Sequence, residues 1–130
     1  MSFWLLFIAA VSAFVVGGIW YGPVFGKAWA RENGFPEGYQ AGSPARVFGV
    51  SFLFTFFAAA GYLHLIGFSD DVLASAAHGA AVGALIAATS FGINYQFCGK
   101  SLKLLLIDGG YHTVQFAVIG ALYAGLHEII

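Results

Sequence analysis

The chain has 130 residues, of which 60 % are hydrophobic and 8 % charged, with a formal net charge of −1 and a mean hydropathy of +0.85. A soluble domain carries about 25 % charged residues, so this composition excludes a water-soluble globule and places the chain in a lipid bilayer. The net charge excludes a nucleic-acid partner held by a basic patch, and the length leaves room for a single transmembrane domain, residues 1–130, with no second one.

The first apolar segment is predicted to span at about residues 2–22. No basic n-region precedes it, and the run is longer than a signal-peptide core. About 20 residues suffice to cross a hydrocarbon layer of ~30 Å, so it reads as a retained span. Trp20 and Tyr21 end it at headgroup depth, where amphipathic rings are favoured. Pro23 then opens a short interfacial helix in which Val24, Phe25 and Trp29 dip into the interface while Lys27 and Arg31 reach headgroups. It ends at Asn33-Gly34. Residues 35–43 are rich in turn formers.

Ser43-Pro44 supplies a hydroxyl cap followed by proline at the first helical position, the start of a second span at about 44–67. Phe68-Ser69-Asp70-Asp71 forms a tight turn whose acid caps a third span, about 72–98, ended by Gly99. Ser101 starts the fourth, about 101–129, which is about 45 Å long at 1.5 Å per residue. Such a helix must tilt, project beyond the bilayer, or bend near Asp108-Gly109-Gly110. The fold expected is an all-α integral membrane bundle of four transmembrane helices plus the interfacial helix.

The basic residues all fall on one side of this layout. Lys27, Arg31 and Arg46 lie between the first and second spans, and Lys100 and Lys103 between the third and fourth; the remaining loop carries Asp70 and Asp71. Basic short loops stay cytoplasmic, which predicts both termini outside. Small residues recur every fourth position at Ala9, Ala13 and Gly17, at Gly79 and Gly83, and at Ala117, Ala121 and Gly125. In lipid, close backbone approach over such ridges drives helix association. Packing within one bundle is the plainer use of them, and the surplus leaves a homo-oligomer reasonable. The lone Cys98 cannot form an intrachain disulfide and reads as a small packing residue.

A chain resemblance runs through Gly17-Gly18-Ile19-Trp20-Tyr21-Gly22-Pro23, followed by Phe25-Gly26-Lys27-Ala28-Trp29, and through Leu106-Ile107-Asp108-Gly109-Gly110-Tyr111-His112. In these motifs and in its four-span order the sequence resembles family 1761 of the domains of unknown function, small bacterial integral membrane proteins. The resemblance implies a multi-pass protein of the bacterial inner (cytoplasmic) membrane. It implies no activity, substrate or catalytic residue.

Ionisable groups at bilayer depth cost about 2.5–3.5 kcal/mol each and ask for a reason. Asp108, His112 and Gln115 fall within about 60° of one another on the fourth helix at ~100° per residue. Asn94 and Tyr95 of the third span and Trp20 and Tyr21 of the first lie at similar depth. These seven residues make a candidate polar pocket between helices one, three and four, suited to binding or passing a small molecule, a proton or a lipid-like amphiphile. In the alternative, Asp108 is a structural clamp that accepts hydrogen bonds from the Trp20 indole, Asn94 or a tyrosine, and the protein is an interaction subunit packing through its small-residue ridges. A third reading, metal or haem binding, would use His64 and His78, with His127 and Glu128 near the same boundary, but no metal-ligand spacing supports it and no cofactor is indicated. No phosphate loop, serine-nucleophile motif or paired carboxylate is present, so the sequence gives no reason to expect an enzyme.

Overall fold

A computed structural model describes residues 3–130; the expected start of the first span at Ser2 lies outside the described residues. Four helices are long and apolar enough to cross a membrane: Phe3–Val24, Pro44–Ile66, Val72–Cys98 and Leu102–Leu126. Among the described residues there is no strand, and the chain is an all-α bundle with a short extra helix after the first span.

Helix α1 (Phe3–Ile19) is apolar on every face, as suits a helix solvated by lipid. It runs into a π-helical turn at Trp20–Val24 that contains Pro23. In regular α geometry the proline ring would collide with the carbonyl of Ile19 and leave a hydrogen bond unmade. The wider turn accommodates both, and Phe25 N–H donates to Trp20 O at 2.8 Å. The chain then turns sharply into α2 (Gly26–Asn33). A Cβ at position 26 would lie 2.5 Å from the Tyr21 carbonyl oxygen, so glycine is what permits this turn. Gly34, at φ 73°, ends α2.

Helix α3 (Pro44–Gly61) is capped by Ser43, whose side chain accepts from Arg46 N–H, and is extended by a π-helical turn at Tyr62–Ile66. The third span consists of α4 (Val72–Val82), a π-helical stretch Gly83–Ala88 and α5 (Thr89–Cys98); Asp71 caps it by accepting from Ala74 N–H at 3.1 Å. Ser101 caps α6 (Leu102–Leu126). This last helix runs unbroken through Gly109-Gly110 and stops at Leu126, short of the expected 129. Its 25 residues span about 37 Å at 1.5 Å per residue.

The most buried of the four spans is α6. It packs along α4 and the π-helical stretch on one side and along α1 on another, while α3 packs chiefly on α1. The α4–α6 contact is backbone against backbone. A Cβ at Gly79 would come 2.0 Å from the Phe116 carbonyl oxygen, one at Gly83 2.3 Å from that of His112, and one on Gly120 2.5 Å from that of Ser75. The third span's small-residue ridge is thus consumed inside the chain, and Ala9 and Ala13 of α1 are fully buried as well. Such close approach supplies dispersion energy that hydrophobic burial cannot supply between helices in lipid.

An apolar core of Leu5, Ala9, Ala13, Ala59, Tyr62, Ile119 and Tyr123 fills the half of the bundle away from the basic loops. There α3 and α6 meet: Tyr123 Oη donates to Ala59 O at 2.6 Å, and the Tyr62 ring stacks on Phe116. Towards the basic loops α3 and α6 part, and a cavity opens between them.

Candidate functional site

Asp108 stands at the centre of the parted half. It is 7 % exposed, one turn and a half into α6. Tyr21, in the π-helical turn that ends the first span, donates its hydroxyl to Oδ1 at 2.6 Å. Tyr95 of α5 donates to Oδ2. Trp20 takes a different partner from the carboxylate: its indole Nε1 donates to the Ile107 carbonyl at 2.9 Å. The first, third and fourth spans are therefore joined at one carboxylate and the backbone beside it.

Asn94 is outside this layer. It is exposed on α5 and takes no part in these bonds. The reason is angular: neighbouring helical residues differ by about 100°, so with Tyr95 turned onto Asp108, Asn94 faces away from the bundle. His112 and Gln115 lie on the Asp108 side of α6, but His112 bonds elsewhere. Its Nδ1 donates to Gln115 Oε1 at 2.6 Å, and its ring stacks on Phe91 with centroids 5.1 Å apart. Its Nε2 has no hydrogen-bond partner among the described residues.

The cavity measures about 1070 Å³. One wall is α6, presenting Asp108, Tyr111, His112 and Gln115; the facing wall is α3, presenting Val47, Ser51, Thr55 and Ala58. The expected pocket was bounded by the first, third and fourth spans. The second span is in fact a principal wall, because α3 leans on α1 and stands off α6 over this half. Between the walls the floor is Gly17, Gly18 and Gly22 of the first span, with Trp29 of α2 and the loop residues Tyr39–Gly42 at the basic end. Gly18 is telling: a Cβ there would meet nothing within 4 Å, so the missing side chain is volume given to the cavity.

Tyr111 also borders the cavity, although the sequence marks it only within the family motif and not among the pocket candidates. It is buried, donates its hydroxyl to the Ala13 carbonyl at 3.1 Å, and sets its ring edge-on to Tyr21 at 5.4 Å. The available signal was its spacing, three residues past Asp108 and hence on nearly the same helix face. Helix α2 is fastened to the start of the fourth span by Ser101 Oγ donating to Glu32 Oε1 at 2.7 Å, and by Lys100 Nζ donating to Asn33 Oδ1 at 3.4 Å. That fixes Trp29 beside Tyr21, ring centroids 5.9 Å apart.

At the opposite end, His64 and His78 are both exposed, and neither belongs to a metal-ligating group of three or more among the described residues. His78 borders a small cleft of about 330 Å³ beside Ser69 and Ser75, whose hydroxyls engage each other at 3.2 Å. Among the described residues the one group with metal-ligating proximity is Asp70, His127 and Glu128. His127 Nε2 lies 3.2 Å from Asp70 Oδ1 and 3.8 Å from Glu128 Oε1, while both carboxylates face outward. Asp70 reaches His127 only because the second and third spans close over the end of α6, which no local spacing discloses.

A family model matches residues 4–124, nearly the whole chain; its description is "protein of unknown function (DUF1761)". No curated protein and no solved structure matches the chain.

Proposed function

The chain belongs to the DUF1761 family, and from its cavity we propose that it is a membrane protein that binds a small amphiphilic molecule between its helices. The observation that carries this is a mostly apolar cavity of about 1070 Å³ whose carboxylate and imidazole, Asp108 and His112, stand on one wall. Small-molecule sites run to about 300–1,000 Å³, mostly apolar with a few convergent polar groups. Here Asp108, His112 and Gln115 lie along one wall, Ser51 and Thr55 face them from α3, and aliphatic or aromatic side chains supply most of the rest. That pattern suits a ligand with an apolar body and one polar end.

The rival reading, a subunit that packs on partner helices, is less well supported. Its clearest ridge, Gly79 and Gly83, is already in contact with the α6 backbone of the same chain. In our reading the loops carrying Lys27, Arg31, Arg46, Lys100 and Lys103 face the cytoplasm, both termini face outward, and the cavity occupies the cytoplasmic half of the bilayer. Binding needs one chain; passage across the membrane would require two or more copies working together.

The test is saturable uptake of a neutral solvatochromic amphiphile, Nile red, by the protein in lipid nanodiscs, with protein-free nanodiscs as background. A stoichiometric component in the wild type and its loss in Gly18→Leu supports the reading, since Gly18 lines the cavity and a Cβ there meets nothing within 4 Å, so a larger side chain takes up cavity volume. Uptake equal to background, or equal in the wild type and a folded Gly18→Leu variant, contradicts it.

A further inference from the structure

We propose that the ligand of this cavity is an amphiphilic organic cation, held with its positive charge against Asp108; the proposal rests on the cavity being a binding site. Asp108 is 7 % exposed and borders the cavity. Among the described residues no lysine, arginine or histidine pairs with it: the ion pairs present are Arg31 with Glu32, and His127 with Asp70 and Glu128. Its hydrogen-bond partners are two tyrosine hydroxyls, which satisfy carboxylate oxygens as donors but bring no compensating charge, and His112, one turn on along the same wall, is engaged with Gln115 instead. A buried carboxylate in a bilayer without a counter-charge is costly, and the cavity is a direction from which a mobile counter-charge can arrive.

The walls select the kind of cation. Tyr21, Trp29, Phe91 and Tyr111 all border the cavity, with Tyr21 in contact with the carboxylate and Trp29 and Tyr111 packed on Tyr21. Aromatic faces attract cations electrostatically, and more so where water is excluded. A compact ammonium or metal ion would lose strong hydration on entering so apolar a space, whereas a bulky cation with delocalised or shielded charge loses little and gains contact with the walls. An anion of the same size would be repelled by Asp108 at low effective dielectric.

Tetraphenylphosphonium and tetraphenylborate have the same shape and opposite charge, and they test this directly. Binding of each is measured by equilibrium dialysis to the full chain in zwitterionic phosphatidylcholine nanodiscs, corrected for protein-free nanodiscs, beside the Nile red titration. The expected result is affinity for the phosphonium at least tenfold above that for the borate in the wild type, and a loss of tenfold or more for the phosphonium in Asp108→Asn. Equal protein-dependent affinity for the two ions, or full phosphonium affinity in a folded Asp108→Asn variant, overturns the cation proposal while saturable Nile red binding leaves the cavity reading standing. Failure of all three probes to bind overturns both. The comparison of the two ions in the wild type needs no variant to fold.

Discussion

The Tyr21 hydroxyl and Asp108 meet at 2.6 Å although 87 residues of chain separate them. Because Tyr95 reaches the other carboxylate oxygen from α5, one side chain on α6 sets how three spans converge at the basic end. The same carboxylate borders the cavity, so the groups that hold the bundle together also shape the proposed binding wall.

Replacing that acceptor separates shape from charge. Asp108→Asn keeps a side chain of the same outline that can both accept from and donate to tyrosine hydroxyls, and it removes a buried charge. Thermal stability in detergent is expected to stay within about 1 kcal/mol of wild type or to rise. Asp108→Leu leaves both hydroxyls without their acceptor and is expected to cost about 2–4 kcal/mol. Equal stability of the Leu and Asn variants would remove Asp108 as the joint between spans.

Tyr21→Phe and Tyr95→Phe each delete one donor to the carboxylate. Each is expected to cost about 1–2 kcal/mol. Because both act on one acceptor, the double variant is expected to differ from the sum of the two by about 0.5 kcal/mol or more. Strict additivity in thermal unfolding would show that the two hydroxyls act independently.

Gly79 and Gly83 lie against the α6 backbone, whereas Leu85 on the same span is 71 % exposed. Gly79→Leu or Gly83→Leu must push the helices apart and is expected to lose about 3 kcal/mol or the fold itself. Leu85→Ala is expected to change stability by no more than about 0.5 kcal/mol. Size-exclusion profiles and melting curves of the three variants measured side by side decide it; glycine variants with wild-type size and stability would contradict the packing described.

Orientation has its own check. A reporter active only outside the cytoplasm, fused after Ile130, is expected to be active, and a reporter active only in the cytoplasm silent, because the basic loops hold the opposite side. The reverse pattern would invert the topology and move the cavity to the other leaflet.

The fold was legible because its signals are local. Ser43, Asp71 and Ser101 cap their helices through side-chain oxygens, and Gly34 and Gly99 end theirs in left-handed conformation. The four apolar runs needed no partner to be recognised. The site was legible in part for the same reason: Asp108, His112 and Gln115 share a face by helical period alone. What stayed hidden depends on pairings between spans. Asn94 and Tyr95 are indistinguishable by depth, and only the rotation of α5 turns one inward and the other out. The role of α3 as a wall follows from its leaning on α1, and although the four-residue spacing of Gly79 and Gly83 marked a ridge for close approach, nothing in the sequence named Phe116 of α6 as what it meets.

The most direct measurement is an experimental density map of the protein in lipid nanodiscs, at a resolution that distinguishes side chains, around the cleft between α3 and α6. The account predicts α3 standing off α6 beside Tyr111 and His112, with non-protein density between them whose polar end approaches Asp108. A second span packed directly onto α6, with Ser51 and Thr55 against Gln115 and no space between, would contradict it.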